Sequence, residues 1–323
     1  MKNVKIIATG QYTPDNIVTN FDLEKIVETS DEWIESRTGI SKRRISDGED
    51  TSQLAFKAAK NALDKNSILP EDIDLIIVAT CSPDYHIPST ACIVQGLLGA
   101  HNAVAFDITA ACTGLIYGLK IAKQFMMEER YKKALVIGSE VLSRLIDWKD
   151  RNTCVLFGDG ASAIVLEQTD ENIGIKDIDI YSDGAAGMAL TVKTRPLRNL
   201  CVESDEELDQ IQMSGSDIFR FAVKVMAKNV KEVLERNNLT INDIKYIVPH
   251  QANTRIIETA ARKLKISSDK FYTNLSEYGN TSAASIGIAL NEMVDKNLIQ
   301  RGDKFIMVGF GGGLSWGYAL VEY

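Results

Sequence analysis

The chain has 323 residues, 45% of them hydrophobic and 25% charged, and its 36 Lys and Arg against 44 Asp and Glu give a net charge of −8. This composition excludes a disordered chain and supplies a large core; the length fits two domains or one duplicated unit at roughly 150 residues per domain. Five cysteines without a C-x-x-C pair argue against a disulfide framework and a structural zinc site, no apolar run nears the ~18 residues of a membrane helix, and the acidic total argues against nucleic acid as a general partner.

The start, with Ile6-Ile7-Ala8 after Lys2 and Lys5, is too short for the apolar region of a signal peptide, so a reducing cytoplasm is the expected home. In chain order the apolar pattern then predicts helices alternating with strands. Leu54, Ala55, Ala59, Ala62 and Leu63 carry helical 3- and 4-spacing, and Leu75–Ala79 reads as a buried strand. An apolar strand over 103–108 runs into a small-residue turn and a helix over 114–123. Residues 133–138 form another buried strand, and Gly158-Asp-Gly-Ala161 reads as a tight turn before a strand over 162–166. Segment 193–213, with Pro196 and the acidic run Glu203-Ser-Asp-Glu-Glu207, reads as an exposed excursion. A helix near 225–234, a strand Tyr246–Pro249, a small-residue helix over 282–294 and strands over 304–309 and 314–321 follow.

The chain repeats itself. A shift of 171 residues places Leu54, Ala55 and Leu63 on Val225, Met226 and Leu234, Ile76-Ile77 on Ile247-Val248, and 133–138 on 304–309. Between these matches a shift of 168 places Cys112-Thr-Gly on Asn280-Thr-Ser, which predicts that Cys112 and Asn280 occupy corresponding points at helix starts. The expectation is an α/β protein of two similar halves, 1–172 and 173–323, with mixed sheets covered on both faces.

Cys112 lies in Asp107-Ile-Thr-Ala-Ala-Cys-Thr-Gly114, between a strand and a helix. The positive end of a helix favours a thiolate, and free amides there can hold an oxyanion. The alternative is a small buried hydrophobe. Cys81, Cys92, Cys154 and Cys201 lack that setting and read as structural. Of the three histidines, His250 ends an apolar strand, where α/β folds place chemistry; His86 and His101 sit in loops and read as structural or surface residues. Asn280 follows Gly279, a turn context, and its register with Cys112 lifts it above a turn residue. Gly309-Phe-Gly-Gly-Gly313 suggests a phosphate loop, but only ten residues follow it. A turn that brings backbone amides near a reacting atom is the better reading. Trp33 and Arg37 are either a surface pair or a nucleotide contact, with the indole stacking a base and the guanidinium meeting phosphate or sugar oxygens. Segment 219–265 holds ten Lys and Arg against four Asp and Glu, a net of +6 against −14 for the rest. Within it Arg220, Lys224, Lys228 and Lys231 share a helix face, either solvated or a dock for an acidic partner.

The motifs Ser30-Asp-Glu-Trp-Ile, Arg37-Thr-Gly-Ile40, Cys81-Ser-Pro-Asp84, the Cys112 segment, Phe157-Gly-Asp-Gly160, His250-Gln-Ala-Asn253, Tyr278-Gly-Asn-Thr281 and Gly311-Gly-Gly313 span the chain. Through them it resembles the β-ketoacyl-[acyl-carrier-protein] synthase III family of condensing enzymes over essentially its whole length. The resemblance implies a thiolase-like fold layered α-β-α-β-α and a homodimer. It implies a decarboxylating condensation of a short acyl-CoA primer with malonyl-acyl carrier protein, the initiating step of type II fatty acid synthesis. It places a catalytic triad on Cys112, His250 and Asn280, and backbone oxyanion donors on Cys112, Gly311 and Gly312. Coenzyme A contacts fall on Trp33, Arg37, Arg151 and Asn253, and carrier docking on Arg220, Arg255, Arg262 and Lys263. It implies no metal and no cofactor beyond the coenzyme A thioester, which is substrate. The acidic 203–209 stretch and acyl-pocket neighbours depart from the family pattern and leave the starter acyl group open. The rivals are a condensing enzyme of secondary metabolism with the same triad and a Cys–His–Asn thioester hydrolase. No acidic orienting motif lies near His250, which disfavours the hydrolase.

Overall fold

The computed structural model describes residues 2–194, 196–203, 205 and 210–323. Most of the acidic run at 203–207 therefore lies outside the described residues.

The first half runs β1 (Asn3–Tyr12), β2 (Ile17–Thr19), α1 (Asn20–Leu23), α2 (Asp31–Thr38), β3 (Lys42–Arg44), α3 (Thr51–Lys65), β4 (Leu75–Ala79), α4 (Thr90–Leu98), β5 (Val104–Ile108), α5 (Gly114–Phe125), β6 (Lys133–Glu140) and β7 (Gly160–Thr169). The second runs β8 (Gly174–Ser182), β9 (Leu190–Thr191), β10 (Gln212–Met213), α6 (Gly215–Arg236), β11 (Tyr246–Pro249), α7 (Thr254–Leu264), α8 (Leu275–Tyr278), α9 (Ser285–Asp295), β12 (Lys304–Gly311) and β13 (Ser315–Glu322).

One sheet has the order β1-β7-β6-β4-β5, with β6, β4 and β5 parallel and β7 antiparallel to its neighbours. The other has the order β8-β13-β12-β11, with β12 and β11 parallel. The second sheet thus repeats the first, except that its fifth position is reduced to a single bridge, Ile247 to Phe271. All five residues of β4 are buried, as expected of a parallel strand covered on both faces.

Helices α5 and α9 fill the space between the sheets. Leu115, Ile116, Leu119, Ile286, Leu290 and Met293 pack there against Ile77, Val136, Val248 and Met307. Helix α3 covers the outer face of the first sheet through Ala55, Ala58, Ala59 and Ala62, small side chains that let helix and sheet approach closely. Helices α6 and α7 cover the outer face of the second through Met226, Val230, Ile257 and Ala261. The layers are α-β-α-β-α.

Most elements of the structural repeat keep one shift, and it corrects one expectation. β1 and β8 begin at 3 and 174, β6 and β12 at 133 and 304, and α5 and α9 at 114 and 285. Two pairs of left-handed residues match as well, Ser67 with Asn238 and Ala111 with Ser282. This shift of 171 places Cys112 on Ala283, not on Asn280. The short Cys-Thr-Gly and Asn-Thr-Ser match misled because both halves carry small residues just before the buried helix.

Candidate active site

Strand β5 delivers the chain to Cys112. Residues 111–113 form one tight turn, Ala111 adopts a left-handed φ of +44°, and α5 begins at Gly114. Such an angle outside glycine costs about 1–3 kcal/mol and persists only where packing enforces it. Gly311, at the end of β12, supplies part of that packing. A Cβ added there would stand 2.8 Å from the Cys112 nitrogen and 3.0 Å from its Cβ, so only glycine fits.

Cys112 is 7% exposed. Burial pushes its thiol up to about 12, against the opposing pull of the Ser282 hydroxyl; the Glu140 charge adds to the rise and its own amide opposes it. Burial thus opposes the thiolate that the helix end favours.

His250 follows β11 and is buried. Its Nδ1 lies 2.7 Å from Ser285 Oγ at the start of α9, and the Gln251 amide donates to the same oxygen at 3.4 Å. Ser285 Oγ accepts one bond and can donate its own proton to Nδ1, which leaves the hydrogen of the neutral ring on Nε2. Burial lowers the imidazole to about 3, so the ring is neutral at physiological pH. Burial thus opposes a thiolate–imidazolium pair at rest from both sides.

Asn280 is fixed by backbone on one side and side chain on the other. It forms a parallel bridge with Phe157, its N–H donating to Leu156 O at 2.8 Å while Gly158 N–H donates to Asn280 O at 3.0 Å. Its Oδ1 accepts from the Ser282 amide at 2.9 Å, which orients Nδ2 as a free donor. The Phe157-Gly-Asp-Gly160 motif, read from sequence as a plain turn, therefore has a task. Asp159 accepts from the Ser46 and Ser143 amides and the Ser143 hydroxyl, anchoring the loop that holds Asn280.

Cys112, His250, Asn280 and Gly311 line one cavity of about 630 Å³, together with Trp33, Arg37 and Asn253. The sequence-predicted triad and three of its four coenzyme A residues thus converge. Helix α2 carries Trp33 and Arg37. It is capped by Ser30, whose hydroxyl accepts from the Trp33 amide, and ends at Gly39 with φ +78°. Asn253 caps α7 through the Arg255 amide and donates to Arg37 O at 3.0 Å, so it ties α7 to α2. Arg43 is fully buried and holds this wall from behind, donating to Asn20 Oδ1 and Val155 O. Asn20 in turn donates to Asp31 in α2.

Arg151 departs from the expected clamp. Its guanidinium lies over the Trp33 ring, 4.9 Å from the centroid, and donates to Glu28 O. The two groups stack on each other, so an aromatic base between them requires that they part.

A second cavity of about 660 Å³ shares Cys112, Phe157 and Leu190 with the first and is lined by Gly312, Cys81, Leu142, Leu145, Val192 and Ile211. Its lining is mainly apolar. Segment 193–213 is therefore not only an exposed excursion: the β9–β10 ladder at its base, with Val192 and Ile211, walls this space. Cys81, read as structural, faces the same space as Cys112. Neither role had a local sequence signal.

The basic residues sit outside. Arg220 pairs with Asp217, Arg262 donates to Thr259, and Lys263 is exposed. Arg255 lies over the Phe219 ring at 5.9 Å, and Phe219 lines the first cavity, which places Arg255 at its mouth.

Family models for 3-oxoacyl-[acyl-carrier-protein] synthase III match residues 106–190 and, for its C-terminal part, 234–323. The β-ketoacyl-[acyl-carrier-protein] synthase III of Clostridium novyi is 55% identical, covering 100% of both chains. The crystal structure of 3-oxoacyl-[acyl-carrier-protein] synthase III from Aquifex aeolicus matches with a TM-score of 0.92 at 46% identity, covering 99% of this chain and 100% of that one. The β-ketoacyl-[acyl carrier protein] synthase III of Thermus thermophilus matches with a TM-score of 0.92 at 41% identity, covering 99% of each chain. The fold is the thiolase-like fold of these enzymes, and the chain belongs to the 3-oxoacyl-[acyl-carrier-protein] synthase III family.

Proposed function

We propose that this chain condenses an acyl-CoA primer with malonyl-acyl carrier protein, releasing CO2 and giving a 3-oxoacyl-carrier protein. The observation that carries the reading is one cavity in which a thiol, a neutral imidazole and a side-chain amide converge beside a glycine flush against the thiol's backbone.

In the first half-reaction the Cys112 sulfur attacks the thioester carbonyl. The new C–S bond forms, the bond to coenzyme A breaks, and the thiol proton ends on the departing coenzyme A sulfur. The Cys112 amide and the Gly311-Gly312 turn face the developing oxyanion; one such donor is worth about 3–4 kcal/mol. The apolar cavity beyond Leu190 receives the acyl chain, while Trp33, Arg37, Arg151 and Asn253 hold the nucleotide and the pantetheine arm.

In the second half-reaction malonyl-carrier protein enters by the same mouth. His250 Nε2–H and Asn280 Nδ2–H donate to its thioester carbonyl. The C–C bond to the carboxylate breaks, CO2 leaves and its electrons pass into the enolate; the carbanion attacks the acyl-Cys carbonyl, the new C–C bond forms as the C–S bond to Cys112 breaks, and the released sulfur takes up a proton from solvent. Two substrates served in turn by one covalent intermediate means ping-pong kinetics. Every step uses side chains and backbone amides, so the proposal needs no metal and no further cofactor. Arg255, Arg262 and Lys263, with Arg220 at the edge, form the dock for the acidic carrier.

We further propose a cytoplasmic homodimer. The support for the dimer is β5, an edge strand whose five residues are all half-buried and whose outer backbone groups can pair with a second copy. No helix among the described residues is long and apolar enough to cross a membrane.

The test is separate measurement of the two half-reactions, acyl transfer to the protein and CO2 release from malonyl-carrier protein. Activity with water as acceptor in place of the malonyl group would support the hydrolase reading instead.

A further inference from the structure

Ser282 lines the apolar cavity beside Cys112 and is only 2% exposed. Its hydroxyl is buried and makes no hydrogen bond in the resting structure. A buried hydroxyl without a partner has given up its hydration for nothing, and such a group calls for a reason.

The local chain shows how it is held. Ser282 opens the turn 282–284 that leads into α9, and its φ of +48° is left-handed. A residue other than glycine keeps that angle only where its surroundings enforce it, and such strain gathers at functional sites. The amide of Ser282 donates to Asn280 Oδ1 at 2.9 Å, while the side chain faces the cavity that also holds Cys112. This turn packs directly on the 111–113 turn that carries Cys112, where Ala111 has a left-handed φ of +44°. A Cβ added to Gly114 would stand 3.3 Å from that of Ala283. Two strained turns, one from each half of the repeat, are pressed together, with the hydroxyl and the thiol on one cavity wall.

The acceptors near the hydroxyl are few. Cys81 and Glu140 also feel it, but the Cys81 thiol and the Ser82 hydroxyl already donate to Glu140, at 3.2 and 2.6 Å. Among the described residues, the hydrogen-bonding groups that act on the Cys112 thiol are the Ser282 hydroxyl and the amide of Cys112 itself. A thiol sulfur is a weak acceptor, which accounts for a bond not made at rest. A sulfur carrying negative charge is a strong one.

We propose that Ser282 is a catalytic residue whose hydroxyl donates a hydrogen bond to the Cys112 sulfur as negative charge develops there. Charge develops twice. It appears as the thiol loses its proton during attack on the acyl-CoA carbonyl, and again as the C–S bond of the acyl-Cys breaks. In both steps Ser282 keeps its own proton and lends only the bond. A bond made only when charge is present lowers the barrier without tightening the binding of substrate. The proposal rests on Cys112 as the acyl carrier, but its first test reads the sulfur itself and does not require acyl transfer.

The experiment is alkylation of the intact protein by iodoacetamide at pH 8, with the rate at each cysteine followed by peptide mass spectrometry. The exposed Cys92 and Cys201 serve as internal references. The variants are Ser282→Ala and Ser282→Gly. Both remove the hydroxyl and keep the amide that fixes Asn280. Glycine also relieves the left-handed angle, so one of the two is folded even if strain matters, and melting curves confirm it. Each should slow alkylation of Cys112 about three- to tenfold, because the thiolate fraction falls while the nucleophilicity of the remainder rises. The rates at Cys92 and Cys201 should not change. Acyl transfer from a short acyl-CoA should slow by a similar factor at saturation, with KM unchanged. Alkylation of Cys112 that is unchanged or faster in the variants overturns the proposal. So does slowing in only one of two folded variants, which would trace the effect to packing or backbone strain. A rise in KM alone would make Ser282 a wall of the cavity and overturn its role at the sulfur. Failure of acyl transfer in the parent protein would count against the condensation reading and leave the alkylation result standing.

Discussion

His250 Nδ1 and Ser285 Oγ lie 2.7 Å apart, across 35 residues of chain, and this contact decides which ring nitrogen faces the substrate cavity. With Ser285 donating to Nδ1, the imidazole presents Nε2–H, the donor that an enolate oxygen needs. Ser285→Ala should leave acylation of Cys112 within about twofold and slow malonyl decarboxylation about tenfold, the value of one lost orienting hydrogen bond of about 1–1.5 kcal/mol. Nitrogen-15 spectra of the ring, tractable with only three histidines, should show the Nε2–H form in the parent and a tautomer mixture in the variant. Equal loss in both half-reactions with an unchanged spectrum would leave Ser285 a packing residue.

The two buried titrating groups predict a stability profile with two limbs. His250 is lowered from 6.5 to about 3. A depressed value contributes stability that is present above about pH 6.5 and lost as pH falls toward 3. Cys112 is raised from 9.0 to about 12. A raised value contributes stability that is present below about pH 9 and lost as pH climbs toward 12. His250→Gln should therefore flatten the fall in melting temperature between pH 6.5 and 4, and Cys112→Ala should flatten the fall above pH 9. Parallel curves for parent and variants would contradict the assignment.

Gly311 predicts a steric result. Gly311→Ala drives a methyl group to within 2.8 Å of the Cys112 backbone nitrogen. Acyl transfer should fall at least about a hundredfold, as for a displaced oxyanion donor, with a melting point lowered by only a few degrees. A variant that acylates at the parent rate would remove Gly311 from the oxyanion site.

The Trp33–Arg151 stack predicts how the nucleotide end behaves. A base that inserts between them replaces one cation–π contact with two stacked faces. Trp33→Ala should raise the KM for acyl-CoA about tenfold, matching roughly 1–2 kcal/mol for such contacts. The KM for a pantetheine thioester lacking the nucleotide should not change. An equal rise for both thioesters would assign Trp33 to the pantetheine arm or to the fold.

Much of this arrangement was legible in the sequence. Strand and helix periodicity placed the alternating elements, because apolar spacing is local. Cys112, His250 and Asn280 were legible through their strand-end and turn settings together with the family motifs. The Cys112–Asn280 register was misread because three small residues cannot fix a repeat, whereas matched elements and left-handed residues do. Ser285 and Ser282 were missed for a common reason. Each acts on a neighbour distant in sequence, Ser285 on His250 and Ser282 on Cys112. The helix end that favours a thiolate is visible in sequence, and the depth of burial at Cys112 that opposes it is not.

The proposed carrier dock is an argument from charge. Arg255 stands at the cavity mouth over Phe219, and an acidic partner reaching it is steered by a field screened over ~8 Å at physiological salt. Arg255→Glu should weaken use of malonyl-carrier protein while sparing acyl-CoA loading, and should make condensation less sensitive to added salt. Equal loss in both half-reactions with a lowered melting point would make Arg255 a brace for α7.

The central claim is that Cys112 carries the acyl group between two substrates. Its most direct test is intact-mass and peptide mass spectrometry of the protein incubated with a short acyl-CoA, then with malonyl-carrier protein. The account predicts one acyl adduct, located on Cys112, absent in Cys112→Ser, and discharged as 3-oxoacyl-carrier protein with release of CO2. An adduct on Cys81 or another residue with Cys112 unmodified, or condensation without any adduct, would contradict it.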